Sequence, residues 1–273
     1  MKRLLKADLY RVLRSRLSLI ALILAVAFPA LIVFLYAGIG WIGGLAEDFP
    51  GGSLFSANFV IGSTYSLSNN IGLVVPAFAG ILVCMDHSNG TLRNKVIAGN
   101  RRSAIYLSHL IVSILFSVVV ITIYAAVTAA LALLFFPFNT DPSRNLGLEI
   151  LYFVANGTMS FVFIATVSTL FAMTMRNVAP TIIFTIVFSM ALTALNSVIM
   201  LVDYTPYKYL VYFIPMFGGN VFNLNGGGLF GLLIPTVDAS RELVFAESML
   251  SYLFFGAVHT VIGLILFQKR DIR

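Results

Sequence analysis

Charge is scarce in this chain. Asp, Glu, Lys and Arg make up ten per cent of its 273 residues, where soluble proteins average roughly 25%. With 59% hydrophobic residues and a mean hydropathy of +0.97, that scarcity excludes an ordinary soluble domain and leaves an all-α polytopic membrane protein. Cysteine is nearly absent. Cys84 stands alone, so no intramolecular disulfide can form, and its place at the end of an apolar run suits a buried, inert thiol. There is no Gly-x-x-x-x-Gly-Lys-Ser/Thr loop, so the chain does not hydrolyse nucleotide by that route. The glycine-rich stretches Gly38 to Gly44 and Gly226 to Gly228 lack the lysine, and flexible loops or close helix packing account for them. Neither His-Glu-x-x-His nor Gly-x-Ser-x-Gly occurs, which disfavours a membrane-embedded protease. The histidines are His87, His109 and His259; none has metal-ligand spacing, and no carboxylates are expected to cluster with them. A metal site is therefore not expected. The apolar runs are almost free of acids, so a proton relay or ion-coordinating array is missing, and the energy for any transport must come from outside this chain.

Where the charge sits is informative. Residues 1–16 carry Lys2, Arg3, Lys6, Arg11, Arg14 and Arg16 among Leu5, Leu9, Val12 and Leu13 at helical spacing, a basic amphipathic helix suited to lipid headgroups. A secretory signal is the competing reading, but the following apolar run is about 20 residues, long enough for a retained span. Spans are expected at 17–37, 66–85, 103–136, 148–175, 181–202 and 248–267, with Phe55 to Ile61 as a possible early start of the second. The third would be about 50 Å long against a hydrocarbon core of about 30 Å, so its first turns should project beyond the membrane or tilt strongly. Six spans with both termini in the cytoplasm put all but Arg144, Lys208 and Arg241 of the 17 Lys and Arg residues inside. That satisfies the positive-inside rule and argues against a seventh span. The apolar piece in 206–236 is broken by Pro206, Pro215, Gly218-Gly219, Gly226 to Gly228 and Pro235. Short re-entrant helices on the outer side fit it best, because non-helical backbone at membrane depth must be buried or line a cavity. No repeat of 20 to 50 residues is evident, and the whole of 1–273 reads as one membrane domain.

The longest polar interruption is 86–102. Ser88 or Asn89 can cap a short helix running from Thr91 to Ala98, which Gly99 would end in the left-handed conformation. A short basic helix between two spans is a docking element. Its plainest alternative is an ordinary positive-inside loop. Within the spans, Asn156, Thr158, Ser160, Ser168, Thr193, Asn196 and Ser197 can join helices or line a pathway. His259 is the one ionisable side chain well inside a span and a functional candidate on that ground; the plainer reading is a neutral ring hydrogen-bonded across helices to Thr260 or a neighbouring hydroxyl. The sequons at Asn89 and Asn156 fall inside the cytoplasm and inside a span, and are discounted.

This pattern resembles the permease subunit of a bacterial ABC-2 type transporter over essentially the whole chain. The residues that carry the resemblance are Asp86, Gly90, Thr91, Arg93, Gly99 and Arg102, an acidic-x-x-x-Gly-Thr-x-Arg…Gly-x-x-Arg loop, and the terminal Phe267-Gln-Lys-Arg-Asp-Ile272. Family members more often have Glu at the first position. The resemblance implies a type V exporter-like arrangement in the bacterial cytoplasmic membrane. It implies a pair of permeases (two copies or two paralogues), each docking a separate ATP-binding subunit, with ATP and Mg on that partner and no cofactor here. Residues 86–102 would be the coupling loop, with Asp86, Asn89, Gly90, Thr91, Arg93, Lys95, Gly99, Arg101 and Arg102 as coupling residues. Lys2, Arg3, Lys6, Arg11 and Arg14 would lie on the interfacial helix against membrane lipids. Asn156, Asn196 and His259 are the pathway candidates, and neither a catalytic residue nor a nucleic-acid partner is expected. Twenty-four Phe residues suit a hydrophobic or amphipathic cargo such as a peptide, an antibiotic or a lipid. An ATP-independent channel, or a sensor and immunity protein, is the alternative of another class.

Overall fold

The computed structural model describes residues 2–43, 56–65, 70–138, 146–201, 214–215 and 241–269. Every regular element among them is helical: α1 (Lys2–Leu13), α2 (Arg16–Gly43), α3 (Ala57–Gly62) with a 3-10 turn at Ser63–Tyr65, α4 (Asn70–Ser88), α5 (Thr91–Ile97), α6 (Arg102–Phe135), α7 (Leu146–Met175), α8 (Val178–Leu201) and α9 (Arg241–Lys269). Among the described residues, four stretches are long and apolar enough to cross a membrane: Arg16–Ile39, Arg102–Phe135, Gly147–Met175 and Glu242–Lys269. Shorter apolar helical stretches occupy Ala77–Ser88 and Val178–Leu192. The region expected to be re-entrant, 206–236, lies outside the described residues apart from 214–215, as do residues 270–273.

The long helices exist because runs of 20 or more apolar residues satisfy their backbone polar groups internally, the condition for entering hydrocarbon. Pro29 sits inside α2 without ending it, as such segments tolerate. Their outer faces carry exposed Leu19, Ile23 and Phe34 on α2, Ile183, Val187 and Met190 on α8, and Leu253, Val261 and Ile265 on α9, an apolar surface that water would not tolerate.

Helix α7 packs against α4, α6, α8 and α9, while α6 also packs against α1, α2 and α3. Two aromatic rings hold this core by seating on glycines. The Tyr65 ring lies directly over Gly157 of α7, flanked by Phe153 with centroids at 5.0 Å and Phe161 at 6.4 Å. Tyr106 of α6 presses its phenol end onto Gly263 of α9 and packs on Phe267. A side chain at Gly157 would collide with the Tyr65 ring near its rigid base. Gly157→Val is therefore expected to destabilise by about 1–3 kcal/mol through overpacking, read as a lower melting temperature of the purified protein.

Two expectations change here. The expected early start of the second span at Phe55 to Ile61 is not seen among the described residues, which do not include Phe55. Ala57–Gly62 is a separate helix whose Ala57 N–H donates to the Pro137 carbonyl at 3.0 Å, and Ala57 and Val60 are buried with Val33 and Ala132. Ser63 Oγ donates to the Val60 carbonyl at 2.8 Å, turning the chain at its end. The last helix also begins at Arg241 rather than 248, so Glu242 and Glu247 lie within it.

Candidate functional site

Helix α5 is short because it is bounded on both sides by left-handed glycines. Gly90 has φ 67° and Gly99 φ 82°, values that a side chain makes costly. Gly90 serves two helices at once. Its N–H donates to the His87 carbonyl at 3.2 Å to close α4, and its carbonyl accepts from Asn94 at 3.2 Å to open α5. The N-cap is therefore Gly90, with no side-chain cap bond, rather than the expected Ser88 or Asn89. The Ser88 hydroxyl turns back to the Met85 carbonyl instead, and Thr91 Oγ1 donates to the Asp86 carbonyl at 3.1 Å. At the other end Gly99 N–H reaches the Val96 carbonyl at 2.9 Å and Asn100 N–H the Lys95 carbonyl at 3.3 Å, a Schellman motif.

One face of α5 is anchored and the other is bare. Leu92 is buried at 1% exposure in a cluster with Val83, Ile105 and Tyr106, and Val96 packs against the same cluster. Arg93, Asn94 and Ala98 are exposed, as is Ile97 at 72%.

Beneath α5 lies a buried ionic cluster that four helices assemble. Lys95 extends its Nζ to Asp8 Oδ1 of α1 at 2.6 Å, Asp86 Oδ2 of α4 at 2.9 Å and His109 Nε2 of α6 at 3.1 Å. The ammonium donates to both carboxylates, and His109 Nε2 stands equally close to Lys95 Nζ and to Asp86 Oδ2, at 3.1 Å each. Arg11 of α1 forks onto Asp86, with Nη2 at 2.8 Å from Oδ2 and Nη1 bonded to Oδ1. Ser108 Oγ donates to Asp8 Oδ2 at 2.7 Å. Asp8, Asp86 and His109 are buried and Lys95 nearly so, while the Arg11 side chain is 41% exposed. Two carboxylates face two cations, so the cluster's formal charges balance. Burial raises the Asp8 carboxyl, but the His109 ring, the Lys95 ammonium and the Ser108 hydroxyl together outweigh it and hold Asp8 below the ordinary carboxylate range. Burial pulls the Lys95 amine down, an effect that its bond to Asp8 opposes.

This corrects the reading of the histidines. Two carboxylates do cluster with His109, and the three ligand-type atoms of Asp8, Asp86 and His109 lie within 4.8 Å of one another. The donor set would suit a divalent ion, but the place such an ion would take is filled by the Lys95 ammonium.

Of the residues singled out from the sequence, Asp86, Thr91 and Lys95 join α5 to its support, and Arg11 leaves the lipid-facing group to join them. Asn89, Arg93, Gly99 and Arg101 are exposed around α5. Arg102 Nη1 donates to the Gln268 carbonyl at 2.9 Å, tying the start of α6 to the end of α9. Lys2, Arg3, Lys6 and Arg14 face outward. Asp8, Ser108 and His109 were not anticipated as site residues. Asp8 left one trace in the sequence, as the single acid among six cations in residues 2–16.

Among the described residues, the pathway candidates Asn156 and His259 form no joint site with this cluster. Asn156 is buried on α7 at 1% exposure, its Oδ1 without a partner among the described residues. His259 bonds the Phe255 carbonyl of its own helix at 2.6 Å, rather than a neighbouring hydroxyl. Its ring lies edge-on between Phe163 of α7 and Phe188 of α8, with centroids at 5.5 and 5.7 Å. The side chain of Asn196 lies outside the described residues.

Comparison with known proteins bears on this arrangement. No curated protein matches the chain. The family model described as an ABC-2 family transporter protein matches residues 4–192, a span that holds every member of the ionic cluster and runs from α1 into α8. A multi-pass helical membrane protein with this match over more than half its length is a member of the ABC-2 transporter family.

Proposed function

We propose that this chain is the transmembrane subunit of an ATP-binding cassette exporter, driven by ATP hydrolysed on a separate subunit that docks on α5. The observation that carries the reading is the two-sided build of α5. Its outer face presents Arg93 beside the exposed apolar Ile97, and its inner face is fastened through Leu92 and Lys95 to α1, α4 and α6. An exposed apolar side chain next to a cation is what a protein partner covers. Fastening to three other helices lets a push on α5 reach the membrane domain as one movement.

In this reading six spans, with both termini in the cytoplasm of a bacterial cell, adopt the type V arrangement. Two permeases pair, and 206–236 forms the outer re-entrant region. The ATPase dimer closes on ATP and Mg, moves α5 and the adjoining end of α6, and rocks the pair between inward- and outward-open states. The chain itself makes and breaks no covalent bond. Cargo is hydrophobic or amphipathic, of peptide, antibiotic or lipid type. The aromatic group of Phe163, Phe188, Tyr252 and His259 where α7, α8 and α9 meet supports that preference.

The test is affinity purification from the native membrane in mild detergent, followed by mass spectrometry. A co-purifying protein with a phosphate loop is the expected result, and a second permease in the same sample would make the pair a heterodimer. Recovery of the chain alone, under conditions that keep known complexes intact, would favour an ATP-independent channel or sensor.

A further inference from the structure

Helix α1 has two faces with different tasks. Leu4, Leu5, Asp8, Arg11 and Val12 turn inward, toward the core or the ionic cluster. Lys2, Arg3, Lys6, Tyr10, Leu13 and Arg14 recur every three or four residues on the opposite side and are exposed, Tyr10 at 60% and Leu13 at 74%. Arg14 lies over the Tyr10 ring, 5.5 Å from its centroid, and donates to the Tyr10 hydroxyl at 2.6 Å. A stripe of four cations interleaved with an exposed tyrosine and leucine matches the boundary between headgroups and acyl chains. Each such cation near an anionic leaflet contributes attraction.

The position of α1 also matters to α5. The short helix is held by apolar packing around Leu92 and by the Lys95 ammonium, whose shortest bond is to Asp8 of α1 at 2.6 Å. Asp8 is three and four residues from Arg11 and Val12, so α1 reaches α5, α4 and the core from a single stripe.

We propose that the outer stripe of α1 binds anionic phospholipid headgroups, and that the bound lipid sets how firmly α5 is held, through the Asp8–Lys95 bond. The membrane's charge would then tune the surface that α5 offers to its partner. The naming of that partner as an ATPase rests on the function proposed above; the lipid relay does not.

Hydrogen exchange of the full chain, without any ATPase, tests this in vesicles of phosphatidylcholine alone or with roughly one part in three phosphatidylglycerol. In the natural protein, the anionic vesicles should slow exchange of both the 2–14 and the 91–97 amides, by about fivefold or more. The triple substitution Lys2→Gln, Arg3→Gln, Lys6→Gln should remove the lipid effect at both segments. Lys95→Met should leave it at 2–14 and remove it at 91–97. Salt gives a second handle that needs no variant in the cluster. At about 0.5 M salt the Debye length falls to about 4 Å, and the lipid effect at both segments should fade together in the natural protein. Equal slowing of 91–97 in Lys95→Met, or no response of α1 to anionic lipid, would overturn the proposal. Failure here leaves the co-purification result untouched, and failure to find an ATPase leaves this one untouched.

Discussion

Lys95→Met is expected to lower the melting temperature by about 6–20 °C and to uncouple α5 from the membrane domain. The side chain keeps an apolar stem of nearly the same length, so the main loss is the charge and its hydrogen bonds. Without the ammonium, Asp8 and Asp86 remain buried with Arg11 alone as counter-charge, and removing one member of a buried pair costs about 3–5 kcal/mol. For a chain of this size each kcal/mol moves the midpoint by about 2–4 °C. The double substitution Asp8→Asn with Lys95→Met should recover part of the loss, because the carboxylate stranded closest to Lys95 is gone. Arg11→Gln should do less, since its guanidinium is 41% exposed and solvent screens it. Melting curves of the four purified proteins give the answer. Equal melting of Lys95→Met and the natural protein would mean that the cluster does not hold α5.

Reversing the exposed face of α5 should have the opposite profile. Arg93→Glu with Ile97→Asp touches no buried partner, so folding and membrane insertion should be within about 0.5 kcal/mol of the natural protein. Association with the ATPase should fall by at least about tenfold, the scale of losing one anchoring contact and meeting like charge across an interface. The measurement is the amount of ATPase retained on immobilised, natively melting variant. Undiminished retention would move the docking surface away from α5. Comparing the two variants separates the roles of the two faces: one is lost through stability and the other through recognition.

Much of the helical layout could be read from hydropathy. The long apolar runs around α2, α6, α7 and α9 announce themselves, because a helix in lipid needs an unbroken stretch of apolar residues. The C-terminus of α5 was also legible, since Gly99 supplies a left-handed residue and Asn100 completes the motif. Its N-terminus was not. Polar Ser88 and Asn89 looked like caps, but Gly90 takes that position because one residue must both close α4 and open α5. The ionic cluster was hidden for a different reason. Asp8 meets Lys95 across 87 residues of sequence and Arg11 meets Asp86 across 75, so no local spacing records either pair. Residues 2–16 read as a helix with one lipid-facing side, yet Leu5 and Val12 turn into the core and Leu13 faces out. The amphipathic pattern gave the helix but not which side met the protein.

The central claim is that α5 is the surface on which an ATPase docks, and cysteine crosslinking tests it most directly. Cys84 is the only cysteine and is buried, with its sulfur 3.3 Å from Thr181 Oγ1. Cys84→Ser with Ile97→Cys therefore leaves one reactive thiol, at the most exposed apolar position of α5. Treatment of native membranes with a short thiol-to-amine crosslinker, followed by mass spectrometry of the adduct, should join residue 97 to a protein carrying a phosphate loop. A thiol that labels freely with a small reagent yet yields no adduct with any such protein would contradict the account.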